Sequence, residues 1–404
     1  MPLHSIHNMT STSLFPKNHI FQPREAAESS VAIIMRTKDR PILLARAICS
    51  VINQNFSDWH LFVINDSGCP VILQETLRPY MATLQGKLTL FNNETSLGME
   101  AASNVAVKAI MAVNSRQNVT GIPPARRFAY CVVHDDDDSW HPDFLQETVA
   151  FLEKKENLCY AGVCTRVILI EEEIRDESVV CIREYPYRDF VRDINLWESF
   201  KVNQSPPIAF LFRVDLFDMV GLFNEHLPVL GDWDFMLRVL FQSDVGFVDK
   251  QLAYYHHRTS NRGGTDGIYG NSIIASNSLH QSQRKLFESA IFRSGIQETG
   301  GNGTFSILFA LAQMEKSIRW ETDKLSTKLA KLEKEIEQKN IIKKSVFKKI
   351  TSFFYQNFIK HLLKLFNIPT PPPDKRKNIL KRLKSFFYQV FAKHIINTIN
   401  ALKK

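Results

Sequence analysis

The chain of 404 residues carries 50 Lys+Arg against 42 Asp+Glu, a formal charge of +8, and 44% of it is hydrophobic. That length allows two or three domains with a buried core, and the ordinary apolar and charged fractions exclude wholesale disorder, collagen-like repeats and a disulfide scaffold. No apolar run approaches the roughly 18 residues of a membrane span; the longest, such as FSILFALA at 305–312, are half that.

The charge is unevenly placed. Residues 341–404 hold 15 Lys/Arg and one Asp, a charge of +14, which leaves −6 for residues 1–340. The basic character therefore belongs to the tail, and so does any contact with a polyanion. Cys49, Cys69, Cys131, Cys159, Cys164 and Cys181 are scattered without a CxxC pair, a usage that reads as reduced, buried thiols in the cytosol. The opening MPLHSIHNMTSTSLFPKNHIF lacks the basic start and apolar core of a signal peptide. Residues 1–28 are read as a flexible leader.

VAIIM at 31–35 has the continuous apolar character of a buried parallel strand, and a helical pattern over 42–53 follows it through Leu43, Leu44, Ala47, Ile48 and Val51. LFVIND at 61–66 is a second strand, a helix carries Ala101, Val105 and Ile110, and FAYCVV at 128–133 is a third strand. This alternation predicts right-handed crossovers and a mostly parallel sheet flanked by helices. Ligands of such sheets bind beyond the carboxyl ends of the strands, which puts Asp66 and the acidic run after Val133 on one rim. Between 208 and 259 the sequence predicts a strand (IAFLF), helices holding Phe217 with Val220 and Phe235 with Leu237 and Leu240, and closing strands VGFVD and LAYYHHR. The Gly-, Ser- and Asn-rich stretch 260–304 reads as a loop followed by a helix.

Leu311, Ile318, Leu325, Leu329, Leu332 and Ile336 follow a heptad pattern interrupted at Glu315 and Thr322. It predicts a long helix or a short coiled coil over 305–340, and the second form would make a homodimer through 308–340. In the tail, SVFKKITSFFYQNFIKHLLKLFN recurs 33 residues later as NILKRLKSFFYQVFAKHIINTIN. Phe347, Ile350, Phe354, Phe358, Leu362 and Leu365 form one apolar stripe; Leu380, Leu383, Phe387, Phe391 and Ile395 form its counterpart, and Pro369 with Pro371 to Pro373 separates them. A duplicated basic amphipathic helix at 341–404 suits the headgroup layer of an anionic membrane, the alternative being that the stripes pack on one another or on the enzyme domain. Phenylalanines at helical spacing do not make a stacking platform, so nucleic acid is not an expected partner.

The tract that carries chemistry is VVHDDDDSWHPDFL at 132–145. Four adjacent aspartates repel one another at a strand end, so a cation or several donors must lie close by. Mg²⁺ or Mn²⁺ meets that need with one or two carboxylates and completes its shell with phosphate oxygens and water. Asp66, in VINDSG before Gly68, is by itself either a turn cap or a second element of the same rim. Asp232, in LPVLGDWDFMLRVL, is either the N-cap of the following helix or a general base.

VAIIMRTKDRPILLARAICSVINQNFSDWHLFVINDSG, NETSLGMEAASNVAV, HDDDDSWHPDFL and FRVDLFDMVGLFNEHLPVLGDWDFMLRV resemble, in order and spacing, glycosyltransferase family 2 on a GT-A fold, over about residues 29–260. The resemblance implies an α/β GT-A domain over 29–295, a helical C-terminal extension, and transfer of a sugar from a nucleotide donor, most often a UDP-sugar. Thr37 and Asp66 then hold the nucleotide, with Asp66 on the base, and Gly98 and Asn104 belong to the segment closing over it. Asp135, Asp136 and Asp137 match the Asp-X-Asp element, which binds the donor diphosphate and its metal, so Asp135 and Asp136 count among the donor-binding residues, and Asp138 matches the acidic residue that often follows. The metal would fall to Asp135, Asp137 and Asp138, with His256 a further ligand, and Asp232 matches the catalytic base. Gly231 stands where the family often has Glu, and Ser103 where it often has Arg. The absence of Gln-x-x-Arg-Trp argues against a processive enzyme. The acceptor would be a glycan or glycolipid of the cell surface, reached by an enzyme peripheral on the cytoplasmic face of a membrane. A non-catalytic scaffold of the same fold is the rival reading. A nucleotidyltransferase is disfavoured because RTKDRP lacks the glycines of a phosphate loop.

Overall fold

The structure is a computed structural model describing Phe21, residues 30–123, 126–175, 178–258, Tyr269, 282–289 and 304–339. The leader apart from Phe21, most of the loop over 260–304 and the duplicated helices of 341–404 lie outside the described residues. The chain divides into two units, Met1–Ile318 and Arg319–Lys404.

The first unit begins with β1 (Val31–Thr37), α1 (Pro41–Ile52), β2 (Trp59–Asp66), α2 (Pro70–Leu77), α3 (Met81–Leu84), β3 (Leu88–Asn93), α4 (Met99–Asn114) and β4 (Tyr130–Val133). It continues with β5 (Ser139–Trp140), α5 (Phe144–Leu152), β6 (Tyr160–Arg175), β7 (Ser178–Tyr187), α6 (Leu196–Lys201), β8 (Phe210–Arg213), α7 (Leu216–Val220), α8 (Gly231–Gln242) and β9 (Asp244–Arg258). A helix over 282–289 follows, and the long helix Thr304–Lys339 runs on into the second unit.

The strands form one sheet in the order β3-β2-β1-β4-β8-β6-β9-β5, with β7 paired to β6. It is parallel from β3 to β4, as the alternation predicts. It then becomes mixed, because β8 runs antiparallel to both β4 and β6 while β9 is parallel to β6. VGFVD and LAYYHHR are not two strands but one, β9. The hairpin of β6 and β7 has no counterpart in the sequence reading. β7 pairs with β6 alone and is exposed along most of its length, so it lacks the apolar signal of an interior strand.

Both faces of the sheet are covered. Alternation along the strands sends Ala32, Ile34, Phe62 and Ile64 toward α4, α7 and α8, and Val31, Ile33, Met35, Leu61 and Val63 toward α1, α2 and α5. Pro41 opens α1, where its missing N–H costs nothing, and the helix buries all five apolar residues predicted. In α4 the expected Ile110 is buried but Ala101 and Val105 are half-buried; the buried face runs through Ala102, Ala106, Val107, Ile110 and Val113, with Glu100, Ser103 and Asn104 also buried. The period was misread there because this helix turns polar residues inward. Phe21 is buried at 3% exposure beneath the Arg213 guanidinium.

All six cysteines are free; Cys131 and Cys164 are buried, whereas Cys69 and Cys181 are exposed. Among the described residues, no helix is long and apolar enough to cross a membrane.

Candidate active site

Sheet register assembles the acidic rim. β1 and β4 align Ile34 with Val133, so two residues further on Arg36 and Asp135 leave the sheet side by side and form an ion pair. Arg36 also donates to the Met99 carbonyl at 3.0 Å. Arg40, ahead of α1, pairs with Asp136 at 2.5 Å and reaches Asp137 at 3.3 Å. Arg258, at the end of β9, pairs with Asp137 and with Glu172 Oε1, the latter at 2.8 Å. Arg46 on α1 pairs with Glu172 at 2.6 Å and donates to the Asp137 carbonyl. Guanidinium groups thus supply the positive charge that the aspartate cluster demands. The sequence reading singled out none of them. For Arg36 and Arg40 the signal was RTKDRP at the end of β1, which the rim rule places opposite the acidic run.

The four aspartates divide by exposure. The side chains of Asp135 and Asp137 are 27% and 13% exposed, while Asp136 and Asp138 are wholly buried. Asp138 accepts the His256 backbone N–H at 2.9 Å, and burial together with Asp137 pushes its carboxyl well above the usual range. His256 Nδ1 meets Glu172 at 2.7 Å and its Nε2 meets Ser139 Oγ at 2.8 Å. Burial outweighs Glu172 in setting its pKa, which lies below the ordinary histidine value. Asp138 and His256, expected as metal ligands, are therefore engaged inside the protein. Glu172 joins His256, Arg46 and Arg258; burial pushes its pKa up, but the bonds from His256 and Arg46 prevail and bring it to about 2.

Among the described residues, no three His, Cys, Asp or Glu side chains are grouped to hold a metal ion. A divalent cation completed by diphosphate and water needs only one or two carboxylates. The hard oxygens of Asp135 and Asp137, the two members of the run whose side chains reach solvent at all, fit it.

The remaining predicted residues are placed as follows. Asp66 leaves β2 on the α4 side, where it accepts from Asn93 Nδ2 (2.9 Å), Ser96 Oγ (2.7 Å), Leu97 N (2.8 Å) and Gly98 N (3.2 Å). Burial raises its pKa, but these four bonds outweigh it and hold the carboxylate below its ordinary value. Gly98 has φ +86°, a conformation that favours glycine, and caps α4. Thr37 is buried and lies on the opposite face, lining a pocket with Arg40, Leu44, Asn65, Ile72 and Leu73. Asn104 is buried, and its amide is engaged within the protein: it donates to the Phe223 carbonyl (2.9 Å) and Glu225 (2.8 Å) and accepts from Phe223 N (3.1 Å). It pins the turn leading toward α8.

Asp232 is the second residue of α8, and the cap position belongs to Leu230. Asp232 is therefore not the N-cap. Its carboxylate accepts from Asn203 Nδ2 at 2.7 Å. Burial raises its pKa; the Trp233 N–H and Asn203 oppose this, Asp135 adds to it and Arg36 offsets it. Asp232 and Asp135 thus lie within range of each other's charge and of Arg36.

An acidic rim thus lies at the ends of the parallel strands, with the half-buried Asp232 carboxylate, at the start of α8, within range of its charge. Residues 32–220 match the model of Glycosyl transferase family 2, and over that stretch the chain resembles that family. "Putative colanic acid biosynthesis glycosyl transferase WcaA" of Escherichia coli (strain K12) is 26% identical over 213 residues, 52% of this chain and 66% of that protein. "Uncharacterized glycosyltransferase YwdF" of Bacillus subtilis (strain 168) is 21% identical over 209 residues, covering 52% and 67%. The chain thus spans about two thirds of the length of these relatives. Among solved structures, S. aureus TarS 1-349 in complex with UDP-GlcNAc aligns with TM-score 0.44 and 17% identity, over 57% of this chain and 60% of that one. Mannosyltransferase PcManGT from Pyrobaculum calidifontis in complex with GDP-Man and Mn²⁺ aligns with TM-score 0.44 and 13% identity, covering 78% and 84%.

Proposed function

We propose that this protein transfers a sugar from a nucleotide diphosphate-sugar, a UDP-sugar foremost, to a hydroxyl of a glycan or glycolipid, with inversion and one sugar at a time. The observation that carries the reading is the rim at the strand ends, where Asp135 pairs with Arg36 and Asp136 and Asp137 with Arg40, with Asp232 within range of its charge.

Asp135 and Asp137 would hold Mg²⁺ or Mn²⁺, which when bound supplies positive charge to the leaving diphosphate. Arg36 and Arg40 flank that position and can turn from the carboxylates toward phosphate oxygens. Asp232 takes the proton of the acceptor hydroxyl as its oxygen bonds to the anomeric carbon. The bond from that carbon to the diphosphate oxygen breaks, the electron pair leaves with the nucleotide, and attack from the opposite face inverts the centre. The raised pKa of Asp232 suits a base. The basic tail 341–404 would hold the enzyme at the cytoplasmic face of a membrane, beside a lipid-linked acceptor.

The test is thermal unfolding with UDP, GDP and their sugars, with and without Mn²⁺ or Mg²⁺, followed by turnover with the stabilising donor. Asp232→Asn should lower kcat by about 10²- to 10⁴-fold while donor affinity stays within threefold. A chain that no donor stabilises, or an Asp232→Asn variant with full turnover, would sink the proposal.

A further inference from the structure

Gly231 begins α8 with a helical backbone, so its dihedral angles do not call for glycine. What a side chain there would meet is Glu100 of α4, which would have to move: a Cβ on Gly231 would lie within 2.5 Å of Glu100 Cγ and nearer still to its Cδ and Oε1. Glu100 is only 7% exposed. The charges acting on it are those of the rim, with Arg36 attracting and Asp232, Asp135 and Asp234 repelling.

The residue before this contact is held under strain. Leu230 has φ +71°, a left-handed conformation unfavourable for a leucine. Such backbone persists only where its surroundings fix it, and Leu230 packs against the cluster of Phe200, Trp233 and Leu237. Pressure on Gly231 therefore falls on a strained turn, one residue from Asp232.

We propose that Glu100 is a positioning residue for Asp232: its side chain fills the volume over the Gly231 α carbon and so sets the first turn of α8, with the Asp232 carboxylate, against Arg36 and Asp135. Glu100 and Gly231 form a matched pair, in which the missing side chain of one makes room for the buried carboxyl of the other. The role is one of shape. Burial drives the carboxyl toward its neutral form, and the isosteric amide should replace it.

The inference rests on the transfer reading for its kinetics alone. In the full chain, Gly231→Ala should lower the unfolding temperature, and Glu100→Ala combined with it should recover at least half of the loss. Glu100→Ala alone should lower kcat about tenfold with KM for the sugar nucleotide changed less than twofold, and Glu100→Gln should keep kcat within threefold. Gly231→Ala unfolding like the wild type, or a double variant no more stable than Gly231→Ala, overturns the pair. Full kcat in Glu100→Ala, or Glu100→Gln falling as far as Glu100→Ala, overturns the positioning role. If the wild type turns over no sugar nucleotide, the transfer reading fails, while the unfolding arm still decides the pair.

Discussion

Burying a carboxyl over Gly231 leaves a mark on stability that pH reveals. Burial is the main cause raising Glu100 from 4.5 to about 7; Arg36 opposes it, and Asp232 and Asp135 add to it. The folded chain then keeps a proton that the unfolded chain gives up above pH 4.5. The contribution is complete below that pH and is lost as pH rises through 7. Glu100→Gln, which cannot ionise, should match the wild type near pH 4.5 and exceed it by roughly 3 kcal/mol at pH 8. Denaturant unfolding of both proteins in metal-free buffer measures the gap, and a constant difference across that range would refute it. At this scale the acidic residues were legible because each broke a local rule: four like charges in a row, an aspartate at a strand end, an aspartate before a helix. Glu100 broke none, since a glutamate in a helix's first turn favours the dipole, and only the approach of Gly231 gives it a part. Arg258 and Glu172 were hidden likewise, because their pairing depends on a β6–β9 register that shifts three times.

Among the elements, α4 departs furthest from expectation, and its use explains Asn104. An asparagine read as part of the nucleotide segment is 1% exposed and satisfies both backbone groups of Phe223. Asn104→Ala leaves that buried N–H and C=O without their partner, at a cost of about 1–3 kcal/mol for each group, and frees the turn before α8. The variant should unfold at lower temperature and turn over more slowly while binding nucleotide within threefold of the wild type. Loss of nucleotide affinity with unchanged unfolding would restore Asn104 to the donor site. β1, α1, β2 and β4 were readable because elements buried in the sheet or against it carry a continuous or strictly periodic apolar signal. α8 was read with its apolar face intact, but its start was misplaced, because Gly231 and the strained Leu230 resemble a turn.

For the molecule as a whole, the family match at 32–220 falls within the part of the chain that carries −6, and the +14 lies beyond it at 341–404. The proposed chemistry and the proposed membrane contact are thus separable in sequence. A lysine or arginine near an anionic surface contributes about 1 kcal/mol, so engagement of five of the 15 in the tail would give roughly 5 kcal/mol before the apolar stripes add anything. That attraction is screened within about 8 Å at physiological salt, and burial of the phenylalanine stripes is not. The full chain should therefore sediment with vesicles containing phosphatidylserine and leave vesicles of phosphatidylcholine alone in solution. Raising salt from 0.1 to 0.5 M should weaken binding without abolishing it. Removal of 341–404 should end sedimentation while transfer to a soluble acceptor stays within twofold, because no residue of the proposed site lies in that segment. Equal binding to neutral vesicles, or binding that survives the deletion, would show that the tail's charge does not set the protein's location.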